Sequence, residues 1–194
     1  MKKIAQVVLS TLLLLTVLDA CQPLKEGYGI VNPGQYSRVY IAASYNGLKK
    51  YETTADKNID IPIYANYSGV INLKSDLSVR FEADLSRVPL YNSANGTSYE
   101  ALPEKCFLLE PKTVVIKAGA TASDTPSVVR LLAAAFTDDC EYLLPVRIAS
   151  LSDSSIVVNS DLETMYLSII CHAPDLQISV KPLTDYNVSP VENW

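Results

Sequence analysis

The sequence predicts an all-β fold, a sandwich with one short helix between its strands. Two observations carry this. Short runs of alternating apolar and polar residues recur from Val39 to Cys171, separated by turn signals. The runs are filled by Tyr, Val, Ile, Ser and Thr, residue types that suit a pleated, half-buried surface.

The first segment is not part of the fold. Residues 1–20 read as a lipoprotein signal peptide: Lys2 and Lys3, an apolar stretch from Ile4 to Leu18, then Ala20 ahead of Cys21. That stretch reaches roughly 22 Å as a helix, short of the ~30 Å hydrocarbon core. Gln6, Ser10, Thr11 and Thr16 weaken it further as a permanent span. The segment resembles the bacterial lipobox, which is cleaved between Ala20 and Cys21 so that Cys21 takes the acyl chains. Leu18, Ala20 and Cys21 match that pattern, while Asp19 departs from it. Each buried CH₂ contributes ~0.8 kcal/mol of anchoring, so several chains on one residue hold stably to a bilayer. Gln22, rather than Asp, follows the cysteine and favours the outer membrane. Residues 21–37 are turn-rich and lack periodicity, as expected of a flexible tether.

The sandwich is expected over residues 38–172, with strands at 38–42, 58–65, 77–83, 106–109, 113–116, 127–132, 142–150 and 164–171. In the second of these, Ile59, Ile61 and Ile63 share one face, and Pro62, which has no N–H to donate, places the strand at an edge or beside a bulge. In the third, Val79, Phe81 and Ala83 face one way, Arg80 and Glu82 the other. In 142–150, Leu144, Val146 and Ile148 face inward while Pro145 and Arg147 face outward.

One segment breaks the β pattern. From Asp84 to Thr97 the chain reads as a short helix starting near Arg87, because Pro89 is tolerated only in a first turn. Asp84 or Ser86 is the expected cap, Leu85, Val88 and Tyr91 or Leu90 the apolar stripe, and Asn95-Gly96 the stop. Further on, Asp138, Cys140, Tyr142 and Leu144 follow the spacing of the tyrosine corner of immunoglobulin sandwiches, with Leu144 in place of the disulfide cysteine. Residues 173–194 form a C-terminal extension in which Leu176, Ile178 and Val180 alternate as one edge strand, ahead of a mobile end.

Composition excludes several functions. The formal charge is −5, and removing residues 1–20 takes away two lysines and one aspartate, making it −6. An acidic chain without a basic run has no footprint for nucleic acid. Cys106, Cys140 and Cys171 remain after Cys21, and both buried thiols and one disulfide stay open. With no C-x-x-C and His172 as the only histidine, neither a metal site nor a cofactor is expected. Asp138, Asp139 and Glu141 lack the oxygen-rich spacing of a Ca²⁺ loop. A hydrolase triad has neither its G-x-S-x-G nor a second histidine to draw on, and sequence-adjacent carboxylates on a strand point to opposite faces, so no enzyme is expected.

Three motifs in order carry a family resemblance: Tyr91-Asn92-Ser93-Ala94-Asn95-Gly96-Thr97-Ser98-Tyr99-Glu100-Ala101-Leu102-Pro103, then Val114-Val115-Ile116-Lys117-Ala118-Gly119, then Tyr142-Leu143-Leu144-Pro145-Val146-Arg147-Ile148. Over residues 38–171 the chain resembles the Bacteroidetes lipoprotein immunoglobulin-like domain of unknown function, found at the N-terminus of surface glycan-binding proteins. The resemblance implies an immunoglobulin-like β-sandwich in a bacterial envelope, beside outer-membrane glycan-import proteins. It supplies no binding residues.

Those come from the chemistry of recognition. Sugar binding needs flat aromatic faces with amide and carboxylate partners, and Tyr45, Tyr51, Tyr64 and Tyr67 cluster around loops and an outward strand face. Their expected ligand is a polysaccharide or oligosaccharide, captured without catalysis. The alternative is a structural spacer or protein-docking module with no glycan affinity. Its face would hold Arg80, Glu82, Arg147 and Tyr166, provided that their three strands share a sheet.

Overall fold

The computed structural model describes residues 33–54, 57–136 and 140–172. Cys21, the rest of the signal segment and the C-terminal extension lie outside the described residues. In chain order the strands are β1 (Arg38–Tyr40), β2 (Lys49–Thr54), β3 (Ile59–Ile63), β4 (Asn66–Ser68), β5 (Leu77–Ala83), β6 (Glu100–Ala101), β7 (Phe107–Glu110), β8 (Thr113–Ile116), β9 (Ser127–Leu131), β10 (Cys140–Leu151), β11 (Val157–Val158) and β12 (Thr164–His172). The helix α1 (Arg87–Asn95) lies between β5 and β6.

The strands make an immunoglobulin-like sandwich. The larger sheet runs β2-β12-β10-β5-β8, with β6 alongside the first residues of β10. Against it stands β3-β9-β7, and a third sheet runs β11-β1-β4. All three feed one core. Phe81, Leu144, Val146, Ile148, Leu167 and Ile169 come from the larger sheet, Ile61, Ile63, Leu109, Val129 and Leu131 from its partner, and Val39 and Tyr67 from the third. Fully burying one such aliphatic side chain contributes about 1.5–3 kcal/mol. Alternation therefore fixes the register: a slip of one residue would turn Phe81 out and Arg80 in.

Among the described residues β3 pairs only with β9, which puts it at an edge as Pro62 leads one to expect. Strands β5 and β8 have the expected bounds, and β10 and β12 run slightly longer than expected. Pro33–Tyr36, read from sequence as tether, forms a 3₁₀ turn, and Ser37 is buried. Its hydroxyl bonds that of Tyr67 at 2.9 Å, which ties Ser37 into the packed unit. The β10–β12 register sets Cys140 opposite Cys171. Tyr142 is partly buried against the core with its ring 6.1 Å from Phe136, while Asp138, the acidic half of the expected corner, lies outside the described residues.

Helix α1 starts at Arg87 with Pro89 in its first turn. It stops at Gly96, whose φ of 65° is the left-handed conformation that glycine adopts without a Cβ penalty. Neither expected cap operates. Ser86 makes no side-chain bond to the helix N-terminus, because its hydroxyl donates to Asp84 Oδ1 at 2.6 Å. Of the expected stripe, Val88 is buried and Tyr91 half-buried, whereas Leu90 is 69% exposed. Among the described residues, no helix is long and apolar enough to cross a membrane.

Candidate functional site

The larger sheet has two faces. Met165, Leu167 and Ile169 of β12 enter the core, so Thr164, Tyr166 and Ser168 stand on the other side. On β10, Arg147 lies opposite both Thr164 of β12 and Glu82 of β5. Helix α1 lies against β10. Residues four apart on a helix share a face, so Arg87 and Tyr91 are presented together.

The Tyr91 ring meets that of Tyr166, with centroids 4.6 Å apart and planes tilted by 39°. Tyr99 joins them, 6.0 Å from Tyr91. Asn92 brings it back. Its side-chain Nδ2 donates to the Tyr99 carbonyl (2.8 Å), while its Oδ1 accepts from the Tyr99 N–H (3.0 Å) and the Thr97 hydroxyl (2.9 Å). Its main-chain carbonyl accepts from the N–H groups of Gly96 and Thr97. One asparagine thus closes the whole turn from the helix end to Tyr99. All three rings are half-buried, and burial, with the neighbouring phenols, pushes the Tyr91 hydroxyl pKa upward.

Charges surround the rings. Arg87 Nη2 donates to Glu163 Oε1 at 2.6 Å, and its Nε to Asp84 Oδ2 at 3.2 Å. Arg147 Nη2 lies 2.7 Å from Glu82 Oε1. Its Nε is 3.1 Å from Asp84 Oδ2, close enough for an ion pair but off the line of a hydrogen bond. Asp84 is thus shared by two guanidiniums. The Ser86 hydroxyl, then Arg87 and Arg147, hold its carboxyl below the usual range against the opposing effect of burial. Further along, Ser168 donates to Glu141 Oε1 at 3.0 Å. Glu141 lines an open cleft of about 390 Å³ with Thr97, Ser98, Tyr99 and Glu100, continuous with the rings through Tyr99.

Three of the four expected docking residues meet here, because the three strands do share a sheet: Glu82, Arg147 and Tyr166. Arg80 is also on the outward face of β5, exposed, but opposite Ser150, past a register shift in β10. The four tyrosines proposed as sugar platforms do not form one surface. Tyr67 belongs to the core, 6% exposed, with its hydroxyl donating to the Ile71 carbonyl at 2.8 Å, so its ring offers no platform. Tyr51 on β2 packs against the core, and burial raises its pKa. Tyr45 and Tyr64 are 79% and 44% exposed, the first in the 3₁₀ turn after β1 and the second between β3 and β4. Sequence reasoning assigned no site role to Tyr91, Tyr99, Arg87, Asp84 or Glu163. The available signal was the helical spacing of Arg87 and Tyr91, with two tyrosines bracketing Asn95-Gly96-Thr97.

Similar proteins place this architecture. A family model described as an N-terminal domain matches residues 34–155. A Bacteroides ovatus structure described as a "putative carbohydrate binding protein" matches with a TM-score of 0.53 at 23% identity, over 69% of this chain and 36% of its own. The structure of EndoBT-3987 from Bacteroides thetaiotamicron with Man5GlcNAc product matches with a TM-score of 0.55 at 16% identity, over 69% of this chain and 30% of its own. A two-domain Bacteroides fragilis protein of unknown function matches with a TM-score of 0.57 at 14% identity, over 78% and 52%. The chain therefore spans about half or less of the length of these structures. No curated protein matches by sequence. With the family model covering most of the sandwich and the fold shared across these structures, the chain belongs to this Bacteroidetes family of immunoglobulin-like N-terminal domains of unknown function.

Proposed function

We propose that this chain is an envelope lipoprotein module of a glycan-utilisation system, assisting carbohydrate capture or uptake by non-catalytic binding. The observation that carries this reading is the convergence of Tyr91, Tyr99 and Tyr166 with Glu141 and Glu163 on one outward sheet face. Aromatic rings offer flat apolar area for the C–H face of a sugar, and carboxylates accept strong hydrogen bonds from its hydroxyls. The Bacteroides ovatus structure described as a "putative carbohydrate binding protein" and that of EndoBT-3987 with Man5GlcNAc product supply a glycan-related setting. In this reading Cys21 carries acyl chains and tethers the module to the outer membrane, near glycan-import proteins.

The whole chain, expressed with its signal segment, tests both halves. Labelled palmitate is expected to enter the protein and to be lost in Cys21→Ala, which moves the protein to the soluble fraction. Affinity electrophoresis against a panel of polysaccharides is expected to retard the mature protein. Retardation by none of them, together with co-purification of a membrane partner, would sink the glycan reading in favour of a docking module.

A further inference from the structure

We propose that the tyrosine face takes uncharged saccharide chains and turns away anionic ones, such as uronates and sulfated glycans. This deepens the glycan reading above and rests on it. Recognition of a carboxylate or sulfate calls for a guanidinium or ammonium free to fork onto it. Among the described residues, the two guanidiniums beside the rings are both already held, and the exposed Arg80 of the same sheet face lies farther along, opposite Ser150. Arg87 lies between Asp84 and Glu163, and Arg147 between Glu82 and Asp84. An anionic sugar stacked on the rings would have to break one of these pairs to gain an arginine there.

The balance of charge points the same way. Among the described residues, Glu82, Asp84, Glu163 and Glu141 stand around the rings against Arg87 and Arg147, four carboxylates for two cations. Glu100 adds a further carboxylate to the cleft wall beside Tyr99. On β2, Lys50 lies in register with Ser168 and Glu52 with Ile170, one charge of each sign. A ligand anion therefore meets a net negative surface on a chain that is itself acidic. Neutral hydroxyls meet the opposite situation: Glu141 and Glu163 are acceptors set beside the rings, with Ser168 and Arg87 fixing their orientation.

The test measures binding of the mature protein to a neutral glucan, a neutral mannan, polygalacturonate and a sulfated glycosaminoglycan, at low and at physiological salt. At least one neutral polymer is expected to bind, with both anionic polymers at least tenfold weaker. The gap is expected to narrow as salt screens the surface. Glu141→Lys is expected to shrink that discrimination, and the double variant Tyr91→Ala with Tyr166→Ala to abolish neutral binding. Should the double variant unfold, Tyr99→Ala, which leaves the helix–strand ring contact in place, is expected to weaken neutral binding with little change in melting temperature. Anionic binding equal to or tighter than neutral binding overturns the charge selection while leaving the glycan reading standing. Neutral binding untouched in folded tyrosine variants removes the site from this face and overturns the proposal. Binding of none of the four overturns the glycan reading itself.

Discussion

Tyr91 of the helix and Tyr166 of β12 meet ring to ring at 4.6 Å, although the first belongs to a helix inserted between β5 and β6 and the second to the last described strand. This contact joins α1 to the outward face of the larger sheet, and Arg87, one turn earlier, repeats the link through Glu163. Aromatic contacts of this kind contribute about 0.5–1.5 kcal/mol beyond burial. The helix is therefore placed by side chains at two successive turns.

Asn92 holds the third ring in place. Replacing it with Ala removes its bonds to Tyr99 and Thr97 but leaves the helix sequence otherwise favourable. Asn92→Ala is expected to cost about 1–2 kcal/mol in urea unfolding. It is also expected to raise the fluorescence quenching of tyrosine by iodide, as Tyr99 leaves its partners. Unchanged quenching would show that the loop keeps its course without the asparagine.

Asp84 gives the fold an acid-sensitive joint. Its folded pKa lies below the unfolded one, chiefly because Ser86 and then the two arginines favour the ionised form. Its contribution is therefore fully present above the unfolded carboxylate value, about 4, and is lost as pH falls through the lower folded value. Asp84→Asn is expected to lower stability by about 1–2 kcal/mol at pH 7, with the deficit shrinking towards pH 3. Thermal unfolding of both proteins across that range checks it, and a deficit independent of pH would assign the effect to packing.

The sandwich was legible where burial imposes a period of two. Strands β3, β5 and β8 alternate because one face enters the core, while β10 and β12 send every second residue into that core and bury part of the other face too, and Glu82–Arg147 followed once the strands shared a sheet. Strand β2 escaped because Lys49–Thr54 is largely polar, and β6 because it has only two exposed residues held by β10. The tyrosine cluster depends on where α1 docks across the sheet, which no local pattern encodes. Tyr67 was misplaced for a related reason: its ring fits a core position while its hydroxyl finds Ser37 and Ile71, so a polar tip disguised a buried side chain.

Gly69 and Tyr67 are coupled by space. A Cβ on Gly69 would lie 2.6 Å from the Tyr67 hydroxyl oxygen and 2.9 Å from Ser37 Oγ, both engaged in the buried pair. Gly69→Ala is expected to destabilise by about 1–3 kcal/mol through overpacking. In a Tyr67→Phe background the closest atom is gone, so the same substitution is expected to cost distinctly less. A double-mutant cycle measured by urea unfolding reads the coupling. Additive effects would mean that the glycine serves the backbone and not the tyrosine.

Cys106 is a thiol whose environment suppresses its chemistry. It is 2% exposed, its Sγ lies 3.6 Å from the Ala135 carbonyl, and burial pushes its pKa up despite the opposing charge of Lys105. The thiolate is the reactive form, so a raised pKa and a closed surface act in the same direction. In the native protein at pH 8, position 106 is expected to resist alkylation by iodoacetamide for hours, and to react within minutes in 6–8 M urea, a range in which domains of this size unfold (roughly, from typical denaturant slopes). Peptide mapping by mass spectrometry separates it from the other cysteines. Rapid native labelling at position 106 would show that the 3₁₀ turn Ala133–Ala135 opens readily from the core, since that turn supplies the carbonyl over the sulfur.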